Sequence, residues 1–291
     1  MQLSFFIVDV FAMEKYTGNQ LAVFPDAGAL SHDDMLSLAR EMHYSETTFI
    51  TGEQQEDGGY PVRIFTPQEE LPFAGHPTLG TAFVIHRFLR DNPTGEIRLN
   101  LDVGQIPVRV DTEQELLWMT QNPPEFGATI PPDTIADVLS IPRDDFDPNY
   151  PVQIVSTGIP FIIVPLLSIK AVQQCAIDHQ YYPEALEGCE TKALLVFAPE
   201  TVSQENDIHA RVFAEFYGVP EDPATGSANG CLAGYLSKYL YFNNPNIDIQ
   251  VEQGIEILRP SLLRLRTSVT EQATRVQIGG RVIPVAEGNF F

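Results

Sequence analysis

At 291 residues, with 44% apolar and 19% charged side chains, the chain has material for two ordinary domains with sizeable cores. Its 17 Lys and Arg stand against 39 Asp and Glu, a net charge of −22. That balance disfavours nucleic acid and anionic membrane as partners, because both require clustered basic residues. Cys175, Cys189 and Cys231 form no C-x-x-C pair and read as reduced thiols, not as a disulfide or zinc framework. MQLSFFIVDVF is interrupted by Asp9 and has no basic residues before it, so it makes a poor signal peptide. The longest strongly apolar stretch, PFIIVPLL (160–167), is far too short to cross a bilayer. A cytoplasmic protein is expected.

In chain order the first half reads as strands LSFFIVDVF and LAVFP, then a helix over 31–43. Ser31 and Asp34 have capping-box spacing there, and Met35, Leu36, Leu38, Ala39 and Met42 form one apolar face. Strands TTFI and VRIFT follow, then a second helix over 76–90, then strands IRLNL, IPVRVD and LLWMT. The Pro-rich stretch QNPPEFGATIPPD (121–133) reads as a linker. The second half gives strands VQIVST, FIIVPLL, ALLVFA and ARVFAEF, a helix over 227–240, and strands IDIQVEQG, LLRLRT, RVQIG and VIPVAEG. The helices at 76 and 227 are apolar nearly all round their first turns, which predicts that protein surrounds them.

The halves resemble each other in the same order. TGNQLAVFP (17–25) aligns with TGIPFIIVP (157–165), and RIFT (63–66) with RVFA (211–214). Glu70, Pro72 and Gly75 align with Glu221, Pro223 and Gly226, and Ala82, Ile85 and Leu89 with Ala233, Leu236 and Leu240. Ordered blocks at near-constant spacing imply an internal duplication. The expected domains are 1–125 and 126–291, with the last strand able to return to the N-terminal domain.

Each glycine-and-hydroxyl segment, ELPFAGHPTLG (70–80) and EDPATGSANG (221–230), opens one of the two buried helices. A helix start leaves backbone N–H groups unpaired and carries partial positive charge, so it suits a carboxylate. Gly75 and Gly226 allow close approach of a ligand to the backbone, while Thr225 or Ser227 can cap the helix or touch the ligand. His76 sits at one start and Asp222 with Ser227 at the other, so both are expected to face one cleft between the domains. In SETTFI, Glu46, Thr48 and Ile50 share a strand face. If that face is shielded, Glu46 is a carboxyl suited to acid–base work. The six histidines have no H-x-x-x-H or H-E-x-x-H pattern, and no metal site is expected. Phosphate-loop, dinucleotide and nucleophile-elbow motifs are also missing from the sequence. Cys189 and Cys231 read as small core hydrophobes.

GNQLAVF, SETTFI, FAGHPTLGTA, EDPATGSANG and GGRVIPVAEG (279–288), in that order, resemble the PhzF-like phenazine-biosynthesis family across essentially the whole chain. The resemblance implies an α+β fold of the diaminopimelate epimerase type. It has two pseudo-symmetric domains, each a barrel-like β-sheet wrapped around a central α-helix, and a homodimer. It places the acid–base glutamate on Glu46, its supporting histidine on His76, and the aspartate and serine on Asp222 and Ser227. Asn19, Gly75, Thr225 and Gly226 fall at substrate-binding positions. The activity it implies is isomerisation of trans-2,3-dihydro-3-hydroxyanthranilate without metal or organic cofactor. Racemases of this fold carry a cysteine at each helix start, whereas this chain has His76 and Ser227 there. A single carboxylate moving a proton within a small, cyclic, carboxylate-bearing substrate fits better. A binding protein without catalysis, and an amino-acid epimerase with non-thiol bases, are the alternatives.

Overall fold

The computed structural model describes residues 2–90 and 95–291, and the chain divides into two compact units. The first holds residues 1–120 and 279–291. It opens with strands β1 (Leu3–Val10) and β2 (Asn19–Phe24), helix α1 (His32–Met42), and strands β3 (Glu46–Ile50), β4 (Gly59–Phe65) and β5 (Glu70–Leu71). Helix α2 (Gly75–Val84) follows, then β6 (Glu96–Leu101), β7 (Gly104–Asp111) and β8 (Leu116–Gln121). Ser31 and Asp34 close both arms of the expected capping box at the start of α1. Met35 and Ala39 of this helix bury against Ala22, Phe24, Phe49 and Phe65.

β3 is therefore covered on both faces: Phe49 faces the α1 side, and Thr48 Oγ1 bonds to Thr81 Oγ1 of α2 at 2.8 Å. That double cover explains why four of its five residues are buried although the sequence alternates. α2 is buried along almost its whole length, as its low amphipathicity predicts, and packs on β1, β2, β3, β6 and β7. At Gly80 a Cβ would lie 2.5 Å from Leu21 Cδ2 and 2.9 Å from Val10 Cγ2, so the missing side chain lets the helix sit close to the sheet. The single helix expected over 76–90 becomes an α-helix to Val84 and a π-turn over Ile85–Leu89.

The second unit spans residues 121–278. It contains β9 (Glu125–Thr129), α3 (Pro132–Leu139), β10 (Gln153–Ser156), β11 (Pro160–Pro165), α4 (Ile169–Gln174), α5 (Tyr182–Ala185) and β12 (Leu194–Ala198). Strands β13 (Ile208–Ala214) and β14 (Val219–Asp222), helix α6 (Gly226–Lys238), and strands β15 (Asp248–Gln253), β16 (Ser261–Val269) and β17 (Thr274–Gly280) complete it. The stretch read as a linker over 121–133 is thus structured. β9 pairs antiparallel with β10, and Pro132 opens α3, where a proline costs nothing because first-turn N–H groups have no helical partner.

Pairing repeats strand for strand. β1–β2 is antiparallel, β2–β3 parallel, β3–β4 antiparallel, β4–β6 parallel and β6–β7 antiparallel. β10–β11, β11–β12, β12–β13, β13–β15 and β15–β16 follow the same alternation of direction. The short β5 and β14 sit beside β4 and β13, each just before the central helix. The internal duplication is real, and the fold is α+β with two like units. In the first unit β1 takes its second partner from the far end of the chain: β18 (Val282–Phe290) runs antiparallel to it, Leu3 opposite Phe290. β9 holds the matching place beside β10.

The repeated arginines make the same clamp. Arg63 of β4 grips Glu70 of β5 with Nε–Oε1 at 2.7 Å and Nη2–Oε2 at 2.6 Å. Arg211 of β13 grips Glu221 of β14 at 2.9 and 2.7 Å. Each guanidinium also lies over the ring two residues on, Phe65 or Phe213. Each clamp ties down the short strand that delivers the chain to its buried helix.

Beside Arg211, His209 is fully buried between two carboxylates, with Nδ1 2.8 Å from Glu252 and Nε2 2.8 Å from Glu256. Burial alone would lower its pKa, but the bonds to Glu252 and Glu256 outweigh burial and raise it to about 9. Burial would raise both carboxyls, yet the hydrogen bond to His209 and further donors hold them below their usual range. An unfolded histidine titrates near 6.5. The histidine's contribution is therefore complete below about pH 6.5 and is lost as pH rises through about 9. The carboxyl contributions are present above about pH 4.5 and are lost as pH falls. Urea unfolding should show a stability maximum between these limits and a loss on the order of 3 kcal/mol by pH 10. In His209→Gln that alkaline loss should shrink.

Among the described residues no helix is long and apolar enough to cross a membrane.

Candidate active site

In the first unit the sequence-predicted residues converge on the start of α2. Glu46 opens β3 with its side chain 18% exposed, and its Oε2 lies 3.5 Å from Nε2 of His76, the second residue of the helix. Asn19 opens β2 and is buried. The histidine contact is not an ion pair. Burial pushes the His76 pKa down to about 3, against a backbone hydrogen bond with Gln20 that favours the charged form. The positive end of α2 disfavours an imidazolium as well.

Nε2 of His76 is buried and has no hydrogen-bond partner, so the bond to Gln20 belongs to Nδ1, which donates its proton to a backbone carbonyl. That fixes the tautomer. Nε2 then presents a lone pair towards Glu46, so any proton that Glu46 acquires has an acceptor waiting beside it. A neutral imidazole so placed stabilises the carboxylic acid form without adding charge.

In the second unit the predicted residues cluster at the start of α6. Gly226 is its first residue and Ser227 its second, with Thr225 in the capping position. Neither Thr225 nor Ala74, the corresponding residue of α2, makes a side-chain cap bond. The sequence leaves capping open to Thr225 or Ser227, and the Thr225 hydroxyl does not cap: it donates to Asp222 Oδ2. Ser227 is half-buried and Gly226 buried. No side chain of the capping residue therefore occupies the first-turn amides of either helix, the arrangement that leaves them for an anionic ligand.

Three supports were not singled out in the sequence. Gln20 acts through its backbone, which leaves no residue-type signal. Gln253 and Asn229 are both fully buried and surround the α6 start. They did carry a signal. In IDIQVEQG the core-facing positions run Ile247, Ile249, Val251 and then Gln253, and Asn229 interrupts an apolar helical turn.

The thiols lie elsewhere. Cys231 is buried within α6, with Sγ 3.4 Å from the Ile159 carbonyl, and burial pushes its pKa up to about 12. Cys175 is likewise raised to about 12 by burial. Neither can serve as a base near neutral pH. Among the described residues no group of three or more His, Cys, Asp or Glu could hold a metal ion.

Residues 8–288 match the family model described as phenazine biosynthesis-like protein, PhzC-PhzF. A trans-2,3-dihydro-3-hydroxyanthranilate isomerase of Pseudomonas chlororaphis is 35% identical, covering 97% of this chain and 97% of its own. A solved structure of a predicted epimerase from Pseudomonas aeruginosa is 31% identical, with a TM-score of 0.82 and 99% of each chain covered. The Bacillus anthracis phenazine biosynthesis protein of the PhzF family shares the fold at a TM-score of 0.92, with 23% identity and 100% and 99% coverage. With motifs, duplication and fold in agreement over the full length, the chain belongs to the phenazine biosynthesis-like PhzC-PhzF family and is an isomerase.

Proposed function

We propose that the protein moves one proton within a small, carboxylate-bearing, cyclic substrate, with Glu46 as the only proton carrier and no metal or organic cofactor. The observation that carries this is the Glu46–His76 pair: a carboxyl beside a neutral, tautomer-fixed imidazole lone pair. In the first step the Glu46 carboxylate takes a proton from a substrate carbon, and the electron pair left behind shifts along the adjoining π-system. In the second step the Glu46 carboxylic acid returns the proton to a different carbon. Nothing is oxidised or reduced, and the enzyme ends as it began. His76 holds the acid form between the steps. In the first unit Asn19 and the amide at Gly75 hold polar groups of substrate, and in the second Asp222, Thr225, Ser227 and the amide at Gly226 are the substrate-holding groups.

The test is incubation with trans-2,3-dihydro-3-hydroxyanthranilate, the substrate named for the Pseudomonas relative, in deuterated water. A single shuttle returns part of the original hydrogen, so the isomerised product should carry less than one full deuterium at its new C–H position. Complete wash-in points to a second base and overturns the single-carrier scheme. A compound that binds but is never isomerised favours the non-catalytic alternative for this substrate.

A further inference from the structure

We infer that Gln253 is a positioning residue for the reaction, acting through Asp222 and Thr225. The inference rests on the proposed function, in which those two residues hold substrate. Gln253 is the last residue of β15 and has no exposed surface. Its amide uses every arm on the turn that leads into α6. Nε2 donates to the Asp222 carbonyl at 2.7 Å and to the Thr225 hydroxyl at 3.1 Å. Oε1 accepts from the Thr225 N–H at 3.3 Å and from Asn229 Nδ2 at 2.9 Å.

One buried side chain thus fixes the backbone on either side of Pro223–Ala224 and leaves the Thr225 hydroxyl proton free to turn towards Asp222 Oδ2. A hydroxyl that accepts from Gln253 and donates to the carboxylate orients that carboxylate.

The strand end that carries Gln253 is itself immobilised. The preceding Glu252 accepts bonds from the Val202 and Ser203 amides, from Asn206 and from His209. The following Gly254 has φ +75°, and a Cβ there would stand 2.5 Å from the carbonyls of Pro223 and Arg259. Glycine is required for that approach. Among the described residues the first unit offers no equivalent, because its matching strand β6 ends in Leu101.

Gln253→Leu should lower kcat/KM for trans-2,3-dihydro-3-hydroxyanthranilate about 10–100-fold, the scale of misplacing a binding group. Combined with Asp222→Asn it should cost little more than Asp222→Asn alone, because both act through one carboxylate. Losses that multiply, or a loss below about twofold, overturn the inference. Gln253→Glu covers the case in which the leucine variant fails to fold. It keeps the acceptor and loses the donor at neutral pH, so its activity relative to wild type should recover as pH falls and the new carboxyl regains a proton; a flat ratio overturns the inference. Hydrogen exchange gives a readout independent of turnover. The Thr225 amide, which donates to Gln253 Oε1, should exchange at least about tenfold faster in Gln253→Leu while amides in the middle of α6 are unchanged, and equal exchange overturns the inference. Glu46→Gln in parallel reports on the proposed function separately, since it leaves the Gln253 clamp intact.

Discussion

Glu46→Gln should abolish turnover of trans-2,3-dihydro-3-hydroxyanthranilate by a factor of about 10²–10⁴, the usual worth of a positioned acid–base group, with little change in KM. The substitution keeps the shape of the side chain and can still present its NH2 group to the lone pair on Nε2 of His76, which lies 3.5 Å from the Glu46 carboxyl. What it removes is the ability to take and return a proton. The unfolding midpoint should stay close to that of wild type, because the site of substitution is part-exposed at the edge of β3 and not in its core. Steady-state kinetics beside thermal unfolding separates the two effects. A variant that retains more than about a tenth of wild-type kcat removes Glu46 from the role of proton carrier.

Arg211→Ala should cost about 3–5 kcal/mol of stability, the range for stripping one partner from a buried ion pair, whereas Arg63→Ala should cost about 1 kcal/mol. The two arginines are repeats of one another and both grip a glutamate bidentately. Their surroundings differ. The Arg211 and Glu221 side chains are 9% and 11% exposed, against 31% and 32% for Arg63 and Glu70. Arg211 Nη1 also donates to the carbonyls of Val172, Gln173 and Cys175 at the end of α4. Its removal therefore strands a buried carboxylate and takes a donor from three carbonyls, while water can solvate Glu70. Urea midpoints of the two variants provide the comparison, and equal losses would show that burial does not govern the clamp.

Much of this architecture could be read from the sequence because duplication amplifies weak signals. RIF and RVF, each followed by a glutamate and a glycine-opened apolar helix, point to two copies of one unit, and the strand pairing repeats accordingly. Glu46 and His76 were readable because each sits in a distinctive short motif, and the fold brings their side chains together. The interior of 121–133 was misread because proline ends most elements, yet in Pro132 it begins one. The role of Thr225 stays open in the sequence because a hydroxyl at a helix start has two uses, and only the position of Asp222 decides between them. The π-turn after Val84 left no signal, since a one-residue change in hydrogen-bond register does not alter an apolar pattern.

Pairing of Leu3 with Phe290 sets the order in which the molecule can be completed during its synthesis. The first unit emerges from the ribosome early, but the strand that covers its β1 edge is made only after every residue of the second unit. Through that interval residues 3–10 offer a row of unpaired backbone groups to any neighbouring nascent chain. Residues 282–290 act as the closing latch of the half that was made first, so a shortened or heavily tagged tail should show its damage there.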